Sequence, residues 1–208
     1  MSGRITAITP QKKNSNRCSI FIDSAYAFSV SEKIASALRV GAHISDSQIK
    51  RLKAEDEPEY AFSRALHYLK YRPRSKKEIR EYLEKKGFSE AGIANVLKRL
   101  ENYRYVDDEQ FARLWIENRS RHRPRGEFAL RYELIQKGIE ETIIDRMLSG
   151  FHEKEPAWRA VLPRLKQWEG LDPVNLKKKI YDHLRRRGFS FQTCQDVFEE
   201  AVKHLGIR

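Results

Sequence analysis

The sequence predicts a mainly α-helical protein: three tandem three-helix repeats forming an elongated curved array, with a small N-terminal antiparallel β meander plus short helices. Two observations carry this. The first is a pattern, Ile79-(x)3-Leu83-(x)3-Gly87-Phe88, that returns as Leu130-(x)3-Leu134-(x)3-Gly138-Ile139 and as Ile180-(x)3-Leu184-(x)3-Gly188-Phe189. The glycines lie 51 and then 50 residues apart; a fixed period of that size marks stacked copies of one small unit. The second is the different grammar of residues 1–58, where polar and apolar residues alternate in short β-prone runs.

In chain order, Ile5 to Thr9 alternates, Cys18 to Ile22 is β-prone and Tyr26 to Val30 alternates strictly. Gln11 to Asn16 is read as the first loop and Asp23-Ser24-Ala25 as a turn. Ser31-Glu32 starts a short helix through Leu38, Gly41 breaks it, and Ser45-Asp46-Ser47-Gln48 caps another running towards Ala54. The acidic, proline-ended Glu55-Asp56-Glu57-Pro58 reads as a linker, so the N-terminal extension spans 1–58.

The repeats follow at 59–106, 107–151 and 152–208. In the first, Tyr60 to Tyr71 is helical with Phe62, Leu66 and Leu69 on one face. Ser75-Lys76-Lys77-Glu78 has capping-box spacing before a helix carrying Ile79, Tyr82 and Leu83. Lys85-Lys86-Gly87 suits a left-handed helix stop. Ser89 caps a third helix with Ile93, Val96, Leu97 and Leu100 inward. The second repeat opens on the cap signal Asp107-Asp108-Glu109-Gln110, followed by Phe111, Leu114, Trp115 and Ile116. In the third, Pro163 interrupts a helix holding Trp158, Val161, Leu162, Leu165 and Trp168 and is expected to kink or shorten it. Asp172-Pro173 restarts a helix as cap and first residue. Trp115, Trp158 and Trp168 have core spacing, and Tyr103 and Tyr105 are placed to plug the joint between the first two repeats.

The net charge is +12 and the pI about 9.7. It is uneven: +3 over 1–58, +6 and −1 in the first and second repeats, and +4 in the third. Such a footprint points to a polyanion. Two basic runs occupy the same joint, between first and second helices of their repeats. One holds Lys70, Arg72, Arg74, Lys76 and Lys77; the other holds Arg119, Arg121, Arg123 and Arg125. These are candidate phosphate ligands, and the helix starts that follow carry amides of the kind that bind phosphate. Lys177 and Lys178, and Arg185 and Arg186, are further candidates on one helix, although three consecutive cations there cannot all face one ligand.

The six histidines and two cysteines have no metal-ligand spacing. No phosphate loop, dinucleotide fingerprint or nucleophile elbow occurs, so no catalytic residue, cofactor or metal is expected. Asp107-Asp108-Glu109 reads as a helix cap rather than a nuclease site. Cys18 and Cys194 read as buried free thiols. No apolar run reaches the 18 or so residues a membrane span needs, so the chain reads as soluble, cytoplasmic and without membrane contact.

At this point a family is recognisable. Ala65-Leu66-(x)2-Leu69-(x)2-Arg72-(x)2-Ser75-(x)2-Glu78-Ile79-(x)3-Leu83 resembles the opening of the RecX family of RecA regulators. Leu100-(x)4-Tyr105-Val106-Asp107-Asp108-(x)2-Phe111-Ala112 and Glu133-Leu134-(x)2-Lys137-Gly138-Ile139 are similar to further stretches of it. Arg104 stands where that family often has glycine. The resemblance covers about 60–205 and is looser in the third repeat; the N-terminal extension resembles that of longer members. It implies a crescent-shaped, non-catalytic and monomeric modulator of homologous recombination, DNA repair and the SOS response. Such a protein binds single- and double-stranded DNA and lies in the groove of the RecA filament. There it curbs ATPase, strand exchange and co-protease activity. The basic surface also fits a sequence-specific regulator of helix-turn-helix type, although no recognition helix with converging base-reading side chains stands out.

Overall fold

The computed structural model describes residues 2–12 and 14–207. They form two compact units: those up to residue 72 with 79–103, and 73–78 with those from 104 onward.

The first unit begins with a four-stranded antiparallel sheet in the order β3-β2-β1-β4. Its strands are β1 (Gly3–Gln11), β2 (Asn14–Ile22), β3 (Ala25–Ser31) and β4 (His43–Ile44). The β2–β3 turn needs positive φ at both corners, and Asp23 and Ser24 adopt 50° and 68°. Two expectations change. The first loop is shorter than Gln11 to Asn16, because Asn14 already pairs with Gln11; Lys13 lies outside the described residues. The fourth strand, only two residues long, gave no alternating signal. One face buries Ile5, Cys18, Ile20, Ile22, Phe28 and Val30 against Ala35, Ile44 and Ile49. The short helix after β3, α1, spans Glu32–Ala35.

The expected linker at Glu55-Pro58 is not a linker. A single 24-residue helix, α2 (Asp46–Leu69), runs through it with Pro58 inside, opened by the predicted Ser45–Gln48 capping box. The acidic residues have internal partners. Arg17, itself buried, meets Asp56 at 2.7 Å, donates to Ser29 O at 3.0 Å and lies 3.8 Å over the Tyr60 ring. Asp56 also accepts the Ser31 amide at 2.7 Å. Glu57 accepts from the Ser89 amide and hydroxyl at 2.8 and 2.7 Å. A buried pair of this kind costs about 3 kcal/mol or more to break from one side. Those contacts hold the helix across the missing Pro58 amide.

The remaining helices follow the predicted grammar. They are α3 (Lys76–Glu84), α4 (Glu90–Asn102), α5 (Asp108–His122), α6 (Glu127–Gln136), α7 (Glu141–Leu148), α8 (Lys154–Trp168), α9 (Pro173–Arg185) and α10 (Phe191–His204). The turns after α3, α6 and α9 carry Gly87, Gly138 and Gly188 at φ 81°, 75° and 78°. Arg104 takes φ 56°, a left-handed conformation more usual for glycine. α8 continues through Pro163 to Trp168, so that proline does not shorten it. Leu130, Leu134, Ile139, Ile144 and Leu148 form one core with Phe111 and Ala112. Val161, Leu165, Leu176, Ile180, Leu184 and Val197 form another with Cys194. Both cysteines are free and buried; burial pushes the Cys194 thiol up to about 11. Trp115, Trp158 and Trp168 pack against the cores, whereas Tyr103 and Tyr105 are largely exposed, Tyr103 with its ring 6.0 Å from that of Phe62. No helix among the described residues is long and apolar enough to cross a membrane.

Inside the second unit, the start of a second helix repeatedly meets the glycine turn of the next repeat. Ser75 Oγ donates to Lys137 O at 2.7 Å, and the Lys76 amide donates to Asp108 at 3.0 Å. The Gly126 and Phe128 amides donate to Arg187 O and Gly188 O at 3.0 and 3.3 Å. A Cβ on Gly126 would overlap Gly188 O, so only glycine allows this approach. Glu153 completes the joint, accepting from the Glu127 amide (2.6 Å), the Ser190 amide (3.0 Å) and the Thr193 hydroxyl (2.7 Å). Burial alone would raise its pKa, but these hydrogen bonds outweigh it and hold the carboxyl below the usual range.

Removing Glu153 leaves two helix-start amides unanswered. Glu153→Ala should therefore destabilise the chain by about 2–4 kcal/mol in urea unfolding. Because the folded pKa is depressed, that stabilisation is present at neutral pH and fades as pH falls below the ordinary glutamate value of 4.5.

Candidate nucleic-acid interface

The candidate cations fall into three environments. In the first unit, Lys70 and Arg72 are exposed at the end of α2. Arg74, Lys76 and Lys77 belong to the second unit; Arg74 and Lys76 are half-buried, and Lys77 Nζ donates to Gln136 O at 3.2 Å. The amides expected for phosphate at these helix starts are already engaged. Asp108 holds the first amide of α3 and Glu153 that of α6. Side chains, not helix termini, are left to meet an anion.

The run at 119–125 divides. Arg119 Nε donates to Glu133 at 2.6 Å, and its guanidinium lies 4.5 Å over the Trp115 ring. Trp115 Nε1 donates to the same carboxylate at 2.7 Å, and Arg125 approaches it at 3.6 Å. Glu133 thus answers two of the four cations. Arg121 and Arg123 project outward.

On α9, Lys177 lies over the Tyr181 and Phe198 rings at 5.4 and 5.6 Å, while Lys178 and Arg185, with Arg186 just beyond the helix, are exposed.

The structure brings Arg121, Arg123 and Arg125 to a cavity of about 390 Å³ shared with Arg159, Arg164 and Arg187. His122 and His183 also line it, and no Asp or Glu does. The sequence reading missed Arg159, Arg164, Arg187 and His183. Arg159 and Arg164 are scattered along α8, and Arg187 looked like one more member of a solvated run.

His183 is buried at the foot of this cavity. Its Nε2 lies 3.1 Å from Ala160 O and its Nδ1 3.4 Å from Arg187 Nη1, which also donates to His183 O at 3.2 Å. A carbonyl only accepts and a guanidinium only donates, so the ring is neutral with its proton on Nε2. Burial lowers its pKa first; the charges of Arg187, Arg164 and Arg186 lower it further, against the hydrogen bond to Ala160. Arg187 is lowered by burial and by Arg125, Arg164 and Arg186, every one a cation.

α6 shows a different surface. Phe128, Tyr132 and Ile135 are 69, 65 and 48% exposed in one stripe, opposite the buried Leu130 and Leu134. At the matching places the first repeat has Lys77, Glu81 and Glu84, and the third Lys178, Asp182 and Arg185.

Comparison with known proteins accounts for this combination of a β-sheet extension and three-helix repeats. Residues 3–44 match the domain described as Regulatory protein RecX N-terminal domain; residues 61–100 and 107–148 match RecX, first and second three-helix domains. The Regulatory protein RecX of Bacillus licheniformis is 35% identical over 201 residues, which cover 94% of this chain and 76% of that relative. The chain belongs to the RecX family. The RecX of Bacillus subtilis has the same identity and coverage. A crystal structure of regulatory protein RecX superposes with a TM-score of 0.66 at 26% identity, over 96% of this chain and all of that one. Within the RecX framework, the divided 119–125 run joins the first two helices of the second three-helix domain, and the α6 stripe lies on its middle helix.

Because folded His183 resists protonation, the unfolded chain takes up the extra proton as pH falls below about 6.5. Stability should be level above that pH and decline below it. Urea midpoints measured between about pH 7.5 and 5.5 should show the decline in the wild type and a flatter limb in His183→Gln.

Proposed function

We propose that this chain is a non-enzymatic modulator, mainly an inhibitor, of the RecA recombinase, acting in the cytoplasm as a monomer on the RecA–DNA filament. The observation that carries this reading is membership of a regulatory family along nearly the whole chain. The proposed organisation is an N-terminal extension, 1–58, and repeats at 59–106, 107–151 and 152–208, with α2 shared between extension and first repeat across position 58.

DNA, single- or double-stranded, is met through its phosphates. The proposed contacts are Lys70, Arg72, Arg74, Lys76, Lys77, Arg121 and Arg123, with Lys177, Lys178, Arg185 and Arg186 adding to the field. Arg119 and Arg125 complete the set while also holding Glu133. Exposed guanidinium groups suit phosphate oxygens by their fork of donors. The protein-facing surface is the second repeat. Its net charge of −1 and the apolar α6 stripe support that role, since interface centres are depleted of charge and rich in aromatics. Contact with neighbouring filament subunits would obstruct subunit addition and limit ATPase, strand exchange and co-protease activity.

At substoichiometric ratio the chain should depress RecA ATPase on single-stranded DNA; unchanged turnover would end this reading. Replacing Arg72, Arg74, Arg123 and Arg125 by Ala should flatten the salt dependence of DNA affinity by roughly 0.7–0.9 log units per log salt for each phosphate that the variant no longer neutralises. By contrast, Phe128→Ser with Tyr132→Ser should weaken the effect on RecA and leave that salt dependence in place.

A further inference from the structure

We propose that the arginine cavity of the second unit is a discrete binding site for a multiply charged phosphate group, a phosphomonoester or a polyphosphate chain, held chiefly by Arg164 and Arg187. It goes beyond the backbone-binding reading: that reading needs an exposed track of cations, whereas this one needs a pocket.

The argument starts from which charges are already answered. Of the arginines lining the cavity, Arg159 pairs with Glu155 and also donates to Ser120 O, and Arg125 pairs with Glu133. Among the described residues, Arg121, Arg123, Arg164 and Arg187 have no carboxylate partner; Arg164 donates only to the neutral Gln167, at 3.1 Å. Four cations without a carboxylate partner around one hollow repel each other; Arg187 is half-buried and Arg121, Arg123 and Arg164 are exposed around it. An anion resolves the repulsion. A single backbone diester would bring one negative charge and leave most of the cluster uncompensated. A terminal phosphate brings about two, and a triphosphate chain about three or four.

Preorganisation is the second strand of the argument. Arg187 is not a loose surface side chain. Its guanidinium is fixed by two acceptors on His183, the ring nitrogen and the carbonyl, and His183 is fixed in turn by Ala160 O and by Trp168, whose ring stands edge-on at 5.7 Å. His183 is therefore a positioning residue, holding a donor fork in place before any ligand arrives. Pro124 and Pro163 stiffen the walls. A volume of about 390 Å³ suits a phosphate with part of the group that carries it.

The test uses the full chain at about 0.15 M salt, where unspecific surface attraction is screened beyond about 8 Å. Tripolyphosphate is titrated by calorimetry, with the summed fluorescence of the three tryptophans as a second signal. The expected result is saturable binding that Arg164→Gln with Arg187→Gln weakens by at least about tenfold. Thermal melts accompany each variant; if loss of Arg187 unfolds the chain, Arg164→Gln with Arg121→Gln, both at exposed positions, replaces it with the same expectation. Competition identifies the natural source. Displacement by a 5′-phosphorylated oligonucleotide but not by its 5′-hydroxyl twin assigns a DNA end, and displacement by ATP assigns a free nucleotide; either supports the pocket. Equal binding of tripolyphosphate by wild type and double variant would overturn it. So would equal displacement by the phosphorylated and hydroxyl oligonucleotides, which would make the cavity part of an ordinary backbone track. The RecA ATPase assay is independent of all these outcomes, so failure of the pocket and failure of the filament reading are told apart.

Discussion

The second unit depends on carboxylates that cap helices other than their own. A helix start leaves amides without partners, and a local serine or aspartate usually satisfies them. The sixth helix has Gly126 at that position and so no side chain to offer. Its first amides are satisfied by Glu153 and by the Gly188 carbonyl, both from the following repeat. Lys76 at the start of α3 finds Asp108 in the same way. Secondary structure and packing are thus made by the same bonds: the helix start is complete only when the next repeat is in place. Glycine at 126 is what lets the backbones come close enough.

That arrangement also decides where an anion can go. With the helix-start amides committed to Asp108 and Glu153, recognition falls to side chains, and the structure sorts these by whether a carboxylate is near. Glu133 gathers Arg119, Arg125 and the Trp115 indole into one internal knot. Arg121 and Arg123, from the same short run, point away from it. Basic residues adjacent in sequence therefore do different work, one set tying the second repeat together and the other left facing outward.

How much of this was legible beforehand varies with the range of the interaction. The helices were readable because each carries its own period, cap and glycine stop within about fifteen residues, as in Ser75 to Gly87. The sheet was readable for the strands that alternate and not for His43–Ile44, too short to show a period. Glu55-Asp56-Glu57-Pro58 misled because its composition is that of a linker, while its role is set by Arg17 and Ser89, 39 and 32 positions away from the acids they bind. The site was half legible for the same reason. The joint arginines announce themselves by clustering, whereas Arg159, Arg164 and Arg187 meet only once α8 and α9 are packed, and nothing local marks His183 as the residue that holds one of them.

The unbroken second helix has a consequence for dissection of this protein. Excising the sheet at residue 58 would cut through the middle of a rod, not a tether. The fragment left behind would begin without its Ser45 cap, and Arg99 would keep Glu59 while Ser89 was deprived of Glu57. The excised piece would fare no better, since Asp56 anchors Arg17 only while the helix around it persists. Sheet, α2 and α4 share one compact unit, and any shortened form meant to probe the β extension should instead disarm it in place, by changing exposed residues on the strands.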